Sequence, residues 1–103
     1  MDRETDLTAK RFARALRKKM KIRKLILFGS RARGDNFISS DYDFIVVSDE
    51  FSGTRFPVRA ARLLEIWKEK RDLEALCYTG DEWERLKEKR GILLNAQKDG
   101  VDY

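Results

Sequence analysis

The first candidate for chemistry is the pair Gly29-Ser30, which directly follows the apolar residues 25–28. Glycine lets the backbone approach a ligand closely, and serine offers both a hydroxyl and an N–H group to phosphate oxygens. A glycine-serine pair after a strand is also a common turn. By itself, the pair therefore indicates a phosphate-binding turn only weakly.

Two aspartates, Asp41 and Asp43, lie two residues apart at the start of the next apolar run. The two-residue period of a strand places both carboxylates on one face. Two like charges held this close are unfavourable unless a cation bridges them, and hard oxygen ligands suit Mg²⁺ or Mn²⁺. An isolated Asp-x-Asp sequence is more often a solvated turn, so this pattern also needs support from elsewhere in the chain.

A third carboxylate, Glu74, lies in an otherwise apolar segment, on the strand face that it shares with Asp72. Carboxylates are depleted in strands and costly to bury without a partner. At a sheet edge both side chains would simply face water. Taken together with the other two features, however, Glu74 completes a set suited to metal-dependent phosphoryl or nucleotidyl transfer, in which paired divalent ions hold a triphosphate and the attacking oxygen.

The composition excludes several other chemistries. The chain has one cysteine, Cys77, and no histidine, which rules out an internal disulfide, a Cys/His zinc site and any histidine-based catalytic pair. No apolar run approaches the roughly 18–20 residues that span a bilayer, and the N-terminus does not resemble a signal peptide. We therefore expect a soluble cytoplasmic protein that does not bind membranes, with a single domain over residues 1–103.

The net charge of +5 is distributed unevenly. Residues 1–34 carry 12 basic and 3 acidic side chains, whereas residues 35–54 carry five acidic and no basic ones. Such blocks suit either nucleic-acid binding or a site that combines phosphate and metal ligands. Nucleic acid is the less favoured partner, because interleaved aromatic residues and a known reading motif are missing. Arg31 and Arg33 follow the Gly29-Ser30 pair, where each is either a triphosphate contact or a solvated side chain.

The apolar periodicity predicts the elements that position these residues. Phe12, Leu16 and Met20 recur every four residues, which predicts a helix over 7–21. Strands are predicted over 25–28, 42–47 and 71–78, with loop or a short helical turn over 31–40. A helix starting near Pro57 is predicted to face the core with Ala60, Leu63, Leu64 and Trp67. Thr79 and Glu82 form a capping box for another helix, and we interpret the ambiguous residues 91–98 as a last helix.

These motifs carry a family resemblance. Gly29-Ser30 followed by Asp41-Tyr42-Asp43, with a later strand carboxylate, resembles the signature of the DNA polymerase beta-like nucleotidyltransferase superfamily. Residues 27–34 and 40–44 are similar to its minimal nucleotidyltransferase (MNT) branch. The resemblance implies an α/β (α+β) fold, with a small mixed β-sheet and helices packed against it, like the palm of polymerase beta.

The resemblance also implies roles for individual residues. Gly29 and Ser30 would bind the phosphates of a nucleoside triphosphate, most simply ATP. Asp41, Asp43 and Glu74 would be the catalytic and metal-binding carboxylates for two Mg²⁺ or Mn²⁺ ions. Family members more often have aspartate at the third position, so Asp72 stays open as the alternative to Glu74.

Minimal members of this family are often dimeric and are commonly encoded with a helical HEPN partner as a toxin-antitoxin pair. In such pairs the MNT protein can transfer AMP to a tyrosine hydroxyl of its partner. The resemblance thus predicts an enzyme that moves a nucleoside monophosphate to a hydroxyl on a partner protein. The alternative is a non-catalytic antitoxin or nucleotide-binding module that acts by contact. The base preference, the acceptor and the oligomeric state stay open.

Overall fold

A four-stranded mixed sheet forms the centre of the computed structural model, which describes residues 1–103. The strands are β1 (Lys24–Phe28), β2 (Tyr42–Val47), β3 (Leu73–Tyr78) and β4 (Val101–Asp102). Their order across the sheet is β3-β2-β1-β4, with β1 antiparallel to β2 and β4, and β2 parallel to β3. This confirms the predicted mixed α/β architecture.

Five helices accompany the sheet. They are α1 (Arg3–Lys19), α2 (Ser30–Arg33), α3 (Phe56–Leu64), α4 (Gly80–Leu86) and α5 (Gly91–Asp99). α1 begins four residues earlier than predicted, because the Asp2 side chain caps it by accepting a 2.7 Å hydrogen bond from the Thr5 N–H. α5 confirms the helical interpretation of residues 91–98. None of these helices has both the length and the apolar character needed to cross a membrane.

The two faces of the sheet are buried in different clusters. One cluster joins α1, α3 and the sheet, and in it the Phe12 ring lies 5.1 Å from that of Phe44 and 5.0 Å from that of Trp67. The other cluster joins the opposite face, including Ile45, to Trp83 of α4 and Leu93 of α5. The alternation along each strand thus separates the two cores, as the two-residue period requires.

Glu82 connects the second face to α3. Its carboxylate caps α4 together with Thr79, as the sequence predicted, and also accepts two hydrogen bonds from Arg59, one of them 3.1 Å from Nη2 to Oε2. Arg59 is only 6% exposed, so this charge is buried with its partner. The pairing lowers the pKa of Glu82 to about 2, chiefly through the hydrogen bonds from Arg59.

Two features of the fold differ from the prediction. The core face predicted for α3 is wrong at Leu64, which is 55% exposed. Trp67 is buried as predicted, but it lies after the last residue of the helix. Leu64 is the last residue of α3 and faces solvent, whereas Trp67 follows the helix and donates a 2.7 Å hydrogen bond from its Nε1 to the Arg71 carbonyl. The edge strand β4 was not predicted, because two residues are too few to show a strand period.

Candidate active site

Gly29 forms the turn that brings the end of β1 against β2. Its φ of +77° lies in the left-handed region, where side chains with a Cβ are strained. A Cβ at this position would also collide with the Asp43 carboxylate oxygen Oδ2. Glycine is therefore required here both by the backbone conformation and by the close approach of Asp43.

The turn presents free backbone donors. Ser30 is the first residue of α2, and the N–H groups of Ser30, Arg31 and Ala32 donate to no acceptor within the protein. Donors in the first turn of a helix have no intrahelical acceptor. Together with the Ser30 hydroxyl they are donors of the kind that phosphate oxygens accept from, and the phosphate contact of Gly29 and Ser30 stays a prediction.

The carboxylates meet at the same end of the sheet. Asp43 is the register partner of Glu74 in the parallel β2-β3 pair and of Phe28 in the antiparallel β1-β2 pair. Register partners project from the same face, so the three side chains stand side by side across three strands. The structure thus brings Asp43 and Glu74 together, while Asp41 lies just before β2 and is exposed.

The pKa of Asp43 is raised from 3.8 to about 6. Burial of this half-exposed group is the largest cause, followed by hydrogen bonding and repulsion from Glu74 and then by repulsion from Asp41. Arg33 acts in the opposite direction. The shift reports a site where negative charge is concentrated and incompletely compensated.

The register also separates the two candidates for the third carboxylate. Glu74, not Asp72, lies beside Asp43. Asp72 precedes β3, where its backbone oxygen accepts a 2.9 Å hydrogen bond from the Tyr42 N–H. The geometry therefore favours Glu74 over Asp72 as the third carboxylate of the candidate site.

A metal ion can be tested against these donors. No three Asp, Glu, Cys or His side chains are grouped closely enough to form a metal site by themselves. Mg²⁺, however, is usually held by one or two carboxylates together with water and substrate phosphates. Asp41 and Asp43 are hard oxygen donors, Asp43 lies against the Gly29 turn, and the excess negative charge at Asp43 is of the kind that a divalent cation relieves. The residues therefore fit Mg²⁺ that arrives with a nucleotide.

Arg31 corrects one sequence prediction. Its side chain is 3% exposed, and its guanidinium lies 4.1 Å from the centre of the Tyr42 ring. All three nitrogens donate inside the protein: Nε to the Ser40 carbonyl at 3.0 Å, Nη1 to the Thr5 hydroxyl at 2.8 Å and Nη2 to the Ile38 carbonyl at 2.9 Å. Arg31 therefore fixes the loop between α2 and β2, and its guanidinium is buried and bonded through all three nitrogens instead of being exposed to a phosphate.

Arg33, in contrast to the buried Arg31, lies at the surface. It is exposed, and its Nε donates to Asp35 at 3.1 Å. Its charge acts on Asp43, whose pKa it lowers. An exposed ion pair of this kind is weak and easily exchanged for another anion, so Arg33 stays a candidate for contact with a triphosphate.

The structure also has a groove beside the carboxylates that the sequence did not predict. It has a volume of about 570 Å³, and apolar side chains line it together with Asp43 and Glu74. These apolar residues include Phe28, Ala60, Leu76 and Ile92. Ile92 is half-exposed although it is apolar. Nothing in the sequence pattern marks it, because the groove forms only when β1, β3, α3 and α5 come together.

The site therefore combines a strand-turn-helix unit that has free backbone donors with strand carboxylates, an arrangement suited to phosphate and divalent metal. The comparison with family models agrees, since the nucleotidyltransferase domain model matches residues 9–99. The chain therefore belongs to the nucleotidyltransferase domain family, which confirms the resemblance found in the sequence and makes the protein a member of a transferase family.

The fold also matches a solved structure. A Sulfolobus solfataricus protein assigned as a nucleotidyltransferase, with a crystal structure at 1.40 Å resolution, superposes with a TM-score of 0.62. The match covers 98% of this chain and 79% of that one at 20% sequence identity, and at this identity it supports the fold alone. A comparison with curated proteins gave no match.

Proposed function

We propose that this protein transfers a nucleoside monophosphate, in the first instance AMP, from a nucleoside triphosphate to a hydroxyl group and releases pyrophosphate. The observation that carries the proposal is the position of Asp43, which has the Gly29 turn on one side and Glu74 on the other. This position supports the proposal because free backbone donors and two carboxylates, one for metal and one for the proton, would then act at one end of the sheet. Membership of the nucleotidyltransferase family supports transfer of this general type.

In this proposal each residue has a distinct task. The N–H groups that follow Gly29 and the Ser30 hydroxyl hold phosphate oxygens, and Arg33 adds positive charge. Asp41 and Asp43 hold two Mg²⁺ or Mn²⁺ ions. When bound, the ions neutralise the charge of the triphosphate and align the attacking and leaving oxygens.

Glu74 is the proposed general base. It takes the proton of the acceptor hydroxyl as the oxygen forms a bond to the α-phosphorus, while the bond between that phosphorus and the bridging oxygen to the β-phosphate breaks. Pyrophosphate leaves with the bridging oxygen, so charge and atoms balance. A carboxylate suits this task because the chain has no histidine.

We infer that the acceptor belongs to a partner protein of the HEPN type, for which this chain acts as an MNT antitoxin in the cytoplasm. The sequence resemblance to the MNT branch supports this inference. Exposed apolar residues close to the site also support a protein partner, since Phe37 and Ile38 are 79% and 78% exposed in the loop that leads to Asp41. A homodimer is part of the same proposal, again from the resemblance.

The proposal is tested by incubating the protein with Mg²⁺, each of the four nucleoside triphosphates and the product of the neighbouring gene, followed by intact mass measurement. The expected result is a mass gain of one nucleotide on the partner and release of one pyrophosphate. Asp43→Asn serves as the inactive control. Tight binding of the partner without any mass gain, equal in both variants, would instead identify an antitoxin that acts by contact.

A further inference from the structure

The outer edge of β3 is open next to the carboxylates. β3 is an edge strand that pairs only with β2. In this parallel pair the backbone groups of alternate residues face β2, as shown by the hydrogen bonds from Tyr42 N–H to Asp72 O and from Ser48 N–H to Tyr78 O. The N–H and C=O groups of Leu73 and Ala75 therefore point outward in the plane of the sheet, on the side opposite β2.

These outward groups have no hydrogen-bond partner within the protein. The edge is closed only further along, where Arg59 Nη1 donates to the Cys77 carbonyl at 3.2 Å. Two donors and two acceptors are thus left free at the strand spacing. An edge of this kind is a template for another extended chain.

The free edge lies within the groove of about 570 Å³, which also contains Asp43 and Glu74. Residues 73–76 line it consecutively, with Ala60 of α3 and the half-exposed Ile92 of α5 as apolar walls. The groove is therefore continuous with the candidate active site, and it offers apolar surface on both sides of the open backbone.

The sheet order gives the groove its place in the reaction. Phe28, at the end of β1, and Glu74 of β3 flank Asp43 on opposite sides. The Gly29 turn, to which the proposed function assigns the phosphates, follows Phe28, so a bound triphosphate would lie on the β1 side. Because the attacking and leaving oxygens must be in line on opposite sides of the phosphorus, the acceptor approaches from the β3 side.

We propose that the acceptor is an extended polypeptide segment that pairs with the free edge of β3 at Leu73 and Ala75 and presents a serine, threonine or tyrosine hydroxyl to Asp43 and Glu74. This inference rests on the proposed function and names its substrate class. In strand addition the main-chain hydrogen bonds supply affinity, and pockets for alternate side chains supply specificity. The apolar walls favour segments with apolar residues on both sides of the hydroxyl.

Strand addition explains an observation that the other occupants of the groove do not. A nucleobase would use the apolar walls but would leave the alternating backbone donors and acceptors unpaired. A second copy of the chain that paired through its own free edge would use these groups, but that edge, residues 73–76, contains no serine, threonine or tyrosine to present to the carboxylates. The test therefore removes one backbone donor and leaves the side-chain walls intact.

The test variant is Ala75→Pro. Its outward N–H takes no part in pairing with β2, and proline is tolerated on an edge strand where the N–H faces solvent. Ala75→Val is the matched control, because it adds similar bulk and keeps the N–H. Both variants and the wild type are given Mg²⁺, labelled ATP and a pool of ten-residue peptides, each with one Ser, Thr or Tyr among apolar residues.

We expect the wild type and Ala75→Val to label the peptides, and Ala75→Pro to show about a tenfold higher KM for peptide, which corresponds to a lost main-chain hydrogen bond. Mg-ATP binding should stay within twofold in all three proteins. In addition, hydrogen exchange at the Leu73 and Ala75 amides should be fast in the free wild type and should slow when peptide binds. This second measurement decides the matter if Ala75→Pro fails to fold.

Three results would overturn the inference and leave nucleotidyl transfer standing: equal peptide labelling by both variants, a loss of Mg-ATP binding in Ala75→Pro, or amide protection that follows dimerisation instead of peptide addition. Labelling of a partner protein but of no peptide would also overturn it. By contrast, a wild type that neither binds Mg-ATP nor releases pyrophosphate would refute the proposed function itself.

Discussion

Replacing Asp43 with asparagine should make the nucleotide-free protein more stable at neutral pH, although it removes a proposed metal ligand. Burial and the neighbouring Glu74 and Asp41 raise the pKa of Asp43 from 3.8 to about 6. At pH values between the unfolded and the folded pKa, a carboxyl group with a raised native pKa binds more protons in the folded state than in the unfolded state. Its contribution to stability is therefore favourable near pH 4 and is lost as the pH rises through 6.

The magnitude follows from the shift. A change of about two pKa units corresponds to about 3 kcal/mol. Because Asp43 is only half-buried, solvent screening reduces the expected effect to about 1–2 kcal/mol. Asparagine has nearly the same shape and can still donate a hydrogen bond to Glu74, but it carries no charge. The free energy of unfolding of Asp43→Asn should therefore exceed that of the wild type by about 1–2 kcal/mol at pH 7.5, which corresponds to roughly 5–10 °C in Tm.

The assay is urea unfolding of both proteins at pH 4, 5, 6 and 7.5 in the absence of divalent cations. The difference in unfolding free energy between the two proteins cancels the titrating groups that do not interact with Asp43, and it should grow from near zero at pH 4 to its full value above pH 6. Asp72→Asn is the matched control, since Asp72 is exposed and should change stability by less than about 0.5 kcal/mol. A wild type more stable than Asp43→Asn at pH 7.5 would refute the reasoning.

Three further predictions concern the turn, its arginine and the buried ion pair. Gly29→Ala should cost about 1–3 kcal/mol in stability, because its φ is +77° and its Cβ would meet Asp43, and calorimetry should show lost Mg-ATP binding. Arg33→Ala should weaken Mg-ATP binding by about 1–3 kcal/mol in a titration without lowering Tm; unchanged affinity would mark it as solvated. Glu82→Gln should destabilise the protein by about 3 kcal/mol at pH 7, since it leaves Arg59 buried without its charge partner. The difference in unfolding free energy between the wild type and Glu82→Gln should decrease in denaturant titrations as the pH falls from 4.5 towards 2, because the pKa of Glu82 is about 2. A difference that is constant with pH would contradict the ion pair.

The sequence predicted the site best where short spacing determines geometry. The turn at Gly29 and the position of Asp43 follow from a strand end and from a two-residue period, and both are local. The contrast between Arg31 and Arg33 was not predictable, because two residues in a helix are separated by about 200° and only the helix orientation decides which one faces the core. The structure buries Arg31 and exposes Arg33.

Tertiary register limited the remaining predictions. The two-residue strand period puts Asp72 and Glu74 on the same face, so only the pairing of Asp43 with Glu74 distinguishes them. Trp67 continues the spacing of α3 but lies beyond the end of the helix. The groove could not be predicted at all, because its lining residues come from five elements that are distant in sequence.

The central claim is that Glu74, beside Asp43, takes the proton of the acceptor hydroxyl. The most direct measurement compares the rate of nucleotide transfer by the wild type, Glu74→Gln and Asp72→Asn, with Mg-ATP binding measured in parallel. We predict that Glu74→Gln loses transfer by at least about a hundredfold yet binds Mg-ATP nearly as well as the wild type, while Asp72→Asn stays close to wild type in both. An inactive Asp72→Asn with an active Glu74→Gln, or full transfer by both variants, would contradict the account.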